Sequence, residues 1–168
     1  MNHVKLIQAV AKHTRYESYL ELGIADGTHF AAIAPYVSRA HAVDMQDTRH
    51  QSLKAFGEFF LMSTDEYFAE NRGTFDIIFI DANHDIAFAR SDLANSLKIL
   101  NWGGVIFMHD TDPENKQLSE SRFCGDSYLV NQVSREDILD IVTLPLDNSG
   151  LTIIRRRNEC RYNRWITQ

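Results

Sequence analysis

A chain of 168 residues, 44% apolar and 24% charged, is long enough for one domain with a real core and has the make-up of a soluble globular protein. Its formal charge of −6 argues against a general nucleic-acid binder, and two cysteines (Cys124, Cys160) without a Cys-x-x-Cys pair suit a reduced compartment rather than a disulfide framework. No long apolar leader opens the sequence and no run approaches the roughly 18 residues of a membrane helix, so a single cytoplasmic domain over residues 1–168 without membrane contact is expected.

In chain order, Val4, Ile7 and Ala11 recur at helical spacing and predict a short N-terminal helix within residues 1–14. "SYLELGI" reads as a strand and "HFAAIAPYV" as a helix; "RAHAVDM" is a second strand carrying Asp44, and Gln46 to Gly57 a helix. "EFFLMS" is a third strand and "TDEYFAENRG" a turn or short helix. "FDIIFIDA" is an unbroken apolar run up to Asp81, as a strand buried on both faces requires. "DIAFARSDLANSLKIL" is an amphipathic helix with Ile86, Ala89, Leu93, Leu97 and Leu100 on one side and Asp92 away from that stripe. "NWGG" is the predicted helix stop, and "VIFMHD" the fifth strand. Residues 111–126 are a polar loop, "SYLVNQVSRE" a helix, and "DIVTLPL" and "GLTIIRRR" two strands joined by the turn "DNSG". Alternating strands and helices predict a doubly wound, mostly parallel α/β sheet of seven strands. The last two strands are joined too closely for a parallel crossover, so one of them runs antiparallel.

In such a sheet ligands sit at the carboxyl ends of the strands. Three strand tips carry acids, Glu21, Asp44 and Asp81, and a fourth ends in His109–Asp110, so distant residues converge. Asp44 follows Glu21 by 23 residues, the place of an acid that accepts hydrogen bonds from a ribose diol. The turn "LGIADGTH" is Gly-x-x-x-Gly rather than Gly-x-Gly-x-x-Gly, and Glu21 and Asp26 frame it. Carboxylates repel a pyrophosphate and suit a cation. S-adenosylmethionine matches this: a ribose, a sulfonium, an ammonium group and no phosphate. Gly23 and Gly27 let the backbone approach its methionine part, with Asp26, or a water held by Glu21, to meet the ammonium.

"LELGIADGTH" resembles the first motif of the class I S-adenosylmethionine-dependent methyltransferases, and "AVDM" their second-strand acid. "MSTDEYF" stands where that family has its adenine-side loop. "IDANHD" and "GGVIFMHD" resemble a subgroup with IDxxH and HD motifs, related to the O-methyltransferases of catechols and macrolide sugars. The resemblance implies the Rossmann-like fold with a reversed seventh strand. It implies cofactor contacts at Glu21, Gly23, Asp26, Gly27, Asp44, Met45, Ser63, Thr64 and Asp81, and methyl transfer to an oxygen of a small polar acceptor. It also implies a divalent cation, magnesium or manganese, on Asp81, His109 and Asp110, with His84 or Asp85 nearby. A hard cation would lower the pKa of substrate hydroxyls and aim one oxygen at the methyl group. Catalytic roles fall to His109, Asp110 and His84, with His109 or Asp110 as a plain general base if no metal is used. Ile86 stands where the subgroup often has an aromatic, a departure that bears on the acceptor.

The basic tail over 155–168, with Arg155, Arg156, Arg157, Arg161 and Arg164 and interleaved Tyr162 and Trp165, is expected to be a solvated or homodimer-contact segment, not a nucleic-acid site. Two rivals share the fold: a non-catalytic cofactor-binding regulatory or partner protein, and a nicotinamide-nucleotide oxidoreductase. The missing third glycine argues against the latter.

Overall fold

The computed structural model of the chain describes residues 2–47, 55–70, 72–132 and 139–157. Seven strands form one sheet: β1 (Ser18–Leu22), β2 (Arg39–Asp44), β3 (Glu58–Leu61), β4 (Phe75–Ile80), β5 (Leu100–His109), β6 (Leu139–Leu144) and β7 (Leu151–Arg156). Their order is β3-β2-β1-β4-β5-β7-β6. β1 to β5 are mutually parallel, and β7 runs antiparallel to both β5 and β6. The expected reversed strand is therefore β7, and this is the Rossmann-like methyltransferase fold.

The alternation of side chains across β1 and β4 builds two apolar layers. Tyr19, Ile77, Phe79 and Phe107 pack on one face with Ile7 and Ala11 of α1 (His3–His13) and Phe30 and Ile33 of α2 (Thr28–Ile33). Leu20, Leu22, Ile78, Ile80 and Met108 pack on the other with Tyr67 of α3 (Thr64–Ala69) and Ala89 of α4 (Ile86–Ile99). Being covered on both faces explains why "FDIIFI" has no polar alternation beyond Asp76.

Two expectations about α4 are corrected. Its end is not set by "NWGG": the helix stops at Ile99, and Leu100 already opens β5, which contains Gly103 and Gly104. The Arg156 guanidinium from β7 bonds the Leu97 and Leu100 carbonyls instead, serving the last turn that a glycine cap would have served. Asp92 does not face away from the apolar side. It is 1% exposed, on a buried stripe with Ala89 and Ser96. Of the basic tail, Arg155 and Arg156 belong to β7 and Arg157 pairs with Asp140 at 3.0 Å, both side chains remaining exposed; residues 158–168, with Cys160, lie outside the described residues. So does most of the helix expected from Gln46 to Gly57. "SYLVNQ" is a 3-10 helix, Ser127–Gln132, and the rest of that predicted helix is outside the described residues. No helix among the described residues is long and apolar enough to cross a membrane.

Candidate active site at the strand ends

The turn after β1 is shaped by Gly23. Its φ is +78°, its N–H donates to the Val43 carbonyl at 2.9 Å, and a Cβ there would lie 2.2 Å from the Asp81 carbonyl oxygen. Only a residue with no side chain lets the ends of β1, β2 and β4 meet this closely. Asp44, the last residue of β2, is held by two backbone donors. Ile24 N–H reaches Oδ2 at 2.9 Å and Gln46 N–H reaches Oδ1 at 2.8 Å. An ionised carboxylate has about four lone-pair sites, so two remain for a ligand. Ser63 caps α3 in a reciprocal box with Glu66: its hydroxyl accepts from the Glu66 N–H at 3.2 Å and donates to Glu66 Oε2 at 2.8 Å.

These turns line one cavity of about 950 Å³. Gly23, Asp44, Met45, Ser63 and Thr64 face it on the β2 side of β1, with Asp81, His84, His109 and Asp110 at its other end, on the β4–β5 side. Glu21, Asp26 and Gly27 are not among its lining residues. Glu21 is 1% exposed and accepts the Tyr19 hydroxyl at 2.6 Å. Burial pushes its carboxyl well above the ordinary carboxylate range, against that hydrogen bond. Glu21 is thus a buried hydrogen-bonding group rather than a charge framing the turn. Asp26 accepts the Thr28 N–H at 2.9 Å, and Gly27 is the N-cap of α2 at φ +75°.

The far end is a cluster of two carboxyls and two imidazoles. His84 Nε2 lies 3.0 Å from Asp110 Oδ2 and 3.8 Å from Asp81 Oδ1. His109 Nδ1 lies 3.3 Å from Asp81 Oδ1 and 3.2 Å from Asp110 Oδ1. The hydrogen bonds to Asp110 and Asp81 raise His84 to about 10. Burial alone would raise Asp110; the His84 hydrogen bond and the two imidazoles overcome it and hold the carboxyl at about 2. Asp81 is lowered against its burial by His109 and His84, and His109 is raised against its burial by Asp81 and Asp110. Asp110 takes φ +59°, a costly backbone for a non-glycine residue and one that clusters at functional sites.

Donor atoms of Asp81, His84 and Asp110 lie within 4.8 Å of one another, a geometry that fits a divalent ion. An imidazole among the donors favours manganese, iron or zinc over magnesium. His109, expected among the ligands, turns its other nitrogen away, with Nε2 3.2 Å from the Ser149 hydroxyl.

Several neighbours carried no signal that sequence reasoning used. "DNSG" read only as a turn, yet antiparallel pairing sets Leu151 opposite His109 and so brings Ser149 to the imidazole. His3, at the start of α1, packs its ring against His109 at a tilt of 47° with centroids 4.1 Å apart, and Asp147 grips it through Nδ1 at 2.7 Å and N–H at 2.8 Å. Cys124, in the polar loop, is buried, and its Sγ lies 3.5 Å from Asp110 Oδ1; burial raises its thiol to about 12, so it stays protonated. The same loop walls the cavity with Ser119, Ser121, Gly125 and Asp126.

A family model described as a methyltransferase domain matches residues 8–111. No curated protein matches the sequence. Among solved structures, the fold is similar to an O-methyltransferase from Bacillus cereus in complex with S-adenosylhomocysteine (TM-score 0.76, 16% identity, covering 92% of this chain and 80% of that one). It is also similar to the S-adenosylhomocysteine-bound methyltransferase of Podospora anserina (TM-score 0.74, 17% identity, 92% and 78%). A third likeness is to an O-methyltransferase of tomaymycin synthesis from Streptomyces achromogenes, in complex with S-adenosylmethionine (TM-score 0.70, 15% identity, 92% and 79%). At these identities the likeness is one of fold.

Proposed function

The chain belongs to the methyltransferase-domain family, and from that premise we propose that it moves the methyl group of S-adenosylmethionine to a hydroxyl oxygen of a small acceptor, with a divalent ion on Asp81, His84 and Asp110. The observation that carries this reading is one cavity with two chemically distinct ends: Asp44 and the α3 turn at one, the Asp81–His84–His109–Asp110 cluster at the other. Asp44 accepts the ribose hydroxyls with the lone pairs its backbone donors leave free. Gly23 leaves room for the backbone to approach the methionine part, and Ser63, Thr64 and Asp65 flank the adenine.

Methyl transfer is an in-line displacement: the acceptor oxygen attacks the methyl carbon as the carbon–sulfur bond breaks, so positioning supplies much of the rate. The ion, when bound, would lower the pKa of the acceptor hydroxyl and hold its oxygen. The Asp81 and Asp110 carboxylates orient the hydroxyl, and His109, the imidazole of the cluster that does not hold the ion, would take the proton it releases at Nδ1. His109 is held at both nitrogens, which fixes its ring plane beside the two acids.

Titration calorimetry with S-adenosylhomocysteine and with NAD tests the cofactor. S-adenosylhomocysteine should bind and NAD should not; the reverse would assign an oxidoreductase. Asp44→Ala should weaken S-adenosylhomocysteine by about tenfold or more, since a buried diol loses its acceptor. An unchanged Kd would remove Asp44 from the site.

The ion is tested by electron paramagnetic resonance of free Mn(II) in a titration. His84→Ala should abolish measurable Mn(II) binding, whereas His109→Ala, which removes a hydrogen-bond partner of the two ligating carboxylates, should weaken it by about tenfold and leave it measurable. Equal losses in both variants would return His109 to the ligand set.

A further inference from the structure

We propose that the acceptor is a cation: a hydroxyl compound that carries an amine beside an apolar body. This rests on the reading of the cavity as a methyl-transfer site. Six carboxylates line that cavity (Asp44, Asp65, Asp81, Asp85, Asp110 and Asp126), with two imidazoles and no lysine or arginine among its described lining.

Most of these charges have work of their own. Asp44 belongs to the nucleoside end, and Asp65 Oδ1 accepts the Ser91 hydroxyl at 3.3 Å. Asp81 and Asp110 are matched by His84 and His109, or by an ion in place of the His84 proton. Asp85 and Asp126 remain, and both sit beside His84. Asp85 is its chain neighbour and the N-cap of α4, accepting the Ala87 N–H at 2.8 Å. Asp126 is pinned by its backbone, its N–H on the His84 carbonyl at 2.9 Å. A Cβ on Gly125 would lie 2.6 Å from that same carbonyl, so the contact is close along the segment. Two acids from different elements are thereby brought to the acceptor end by backbone contacts that do not depend on an ion.

The third part of the wall is apolar. Phe88 lies three residues after Asp85, on the same side of the first turn of α4, lines the cavity and is 48% exposed. An acceptor with its hydroxyl at the His84 cluster meets an aromatic face and two carboxylates. An anionic acceptor would be repelled by the same pair, which sets specificity by exclusion as well as attraction.

Three phenols of similar size test this: tyramine (cation), 4-ethylphenol (neutral) and 4-hydroxyphenylacetate (anion). Each is titrated by calorimetry into the full chain saturated with S-adenosylhomocysteine, in the wild type and in the double variant Asp85→Asn, Asp126→Asn. Asparagine caps a helix as well as aspartate, so α4 keeps its start while the charge goes. Tyramine should bind about tenfold or more tighter than 4-hydroxyphenylacetate, with 4-ethylphenol between them. The preference should fall below about threefold in the double variant, whose Kd for S-adenosylhomocysteine should match the wild type. Equal binding of the three, binding of none, a preference for the acid, or a preference that survives in the double variant each overturns the cationic acceptor. Failure to bind S-adenosylhomocysteine would overturn the methyl-transfer reading instead.

Discussion

Gly23→Ala is expected to lower stability by about 3 kcal/mol and to weaken S-adenosylhomocysteine binding beyond measurement. Two penalties add. A left-handed backbone is unfavourable by roughly 1–2 kcal/mol for a residue with a Cβ. The new methyl would also lie 2.2 Å from the Asp81 carbonyl and 2.6 Å from the Ala82 Cα, both backbone atoms that yield only if the strand ends part. Overpacking of that kind costs about 1–3 kcal/mol. Parting those ends moves Asp81 relative to Asp44, so both ends of the cavity are damaged together. Urea denaturation gives the stability and calorimetry the binding. A loss under about 1 kcal/mol with wild-type affinity would show that the turn relaxes without disturbing the site.

The second large effect is a gain. Asp92 is buried, and neither its carboxyl oxygens nor the Ser96 hydroxyl one turn on meets hydrogen-bond geometry. Burial raises its pKa to about 6, while Thr64 works the other way. The unfolded value is near 3.8, so between about pH 4 and pH 6 the folded chain holds a proton that the unfolded chain has lost. Stability from this group is therefore greatest at low pH and falls as pH rises through that window, by about 2–3 kcal/mol in all. Asp92→Asn keeps the shape and cannot ionise. Its gain over the wild type should be about 1–1.5 kcal/mol larger at pH 8 than at pH 5. A pH-independent difference in urea denaturation would mean that Asp92 ionises in the folded chain as freely as in water.

The sheet and its strand ends were legible because local patterns determine them. "FDIIFIDA" can only be a strand covered on both sides, and the short "DNSG" link forces a reversal. Asp44, Asp81, His84, His109 and Asp110 reach the cavity because strand ends in a parallel sheet point to one edge. Glu21 misled because its place one residue before the end of β1 turns its side chain into the core with Tyr19. Asp92 misled because the buried side of α4 is set by what α3 and β4 present to it, not by its leucines. Ser149, His3 and Asp147 were illegible for a different reason: Ser149 reaches His109 through the β5–β7 pairing, and His3 is held beside it by Asp147 from 144 residues away.

Those contacts bear on the order in which the protein is made. The bond from the His3 N–H to Asp147 spans 144 residues. A chain emerging from the ribosome has all five parallel strands in hand before the hairpin that supplies Asp147 and Ser149 exists. The His109 imidazole is therefore steadied only after that hairpin has been made. Leu151 and Ile154 of β7 belong to the two core layers, so the packing of the sheet waits for that strand as well.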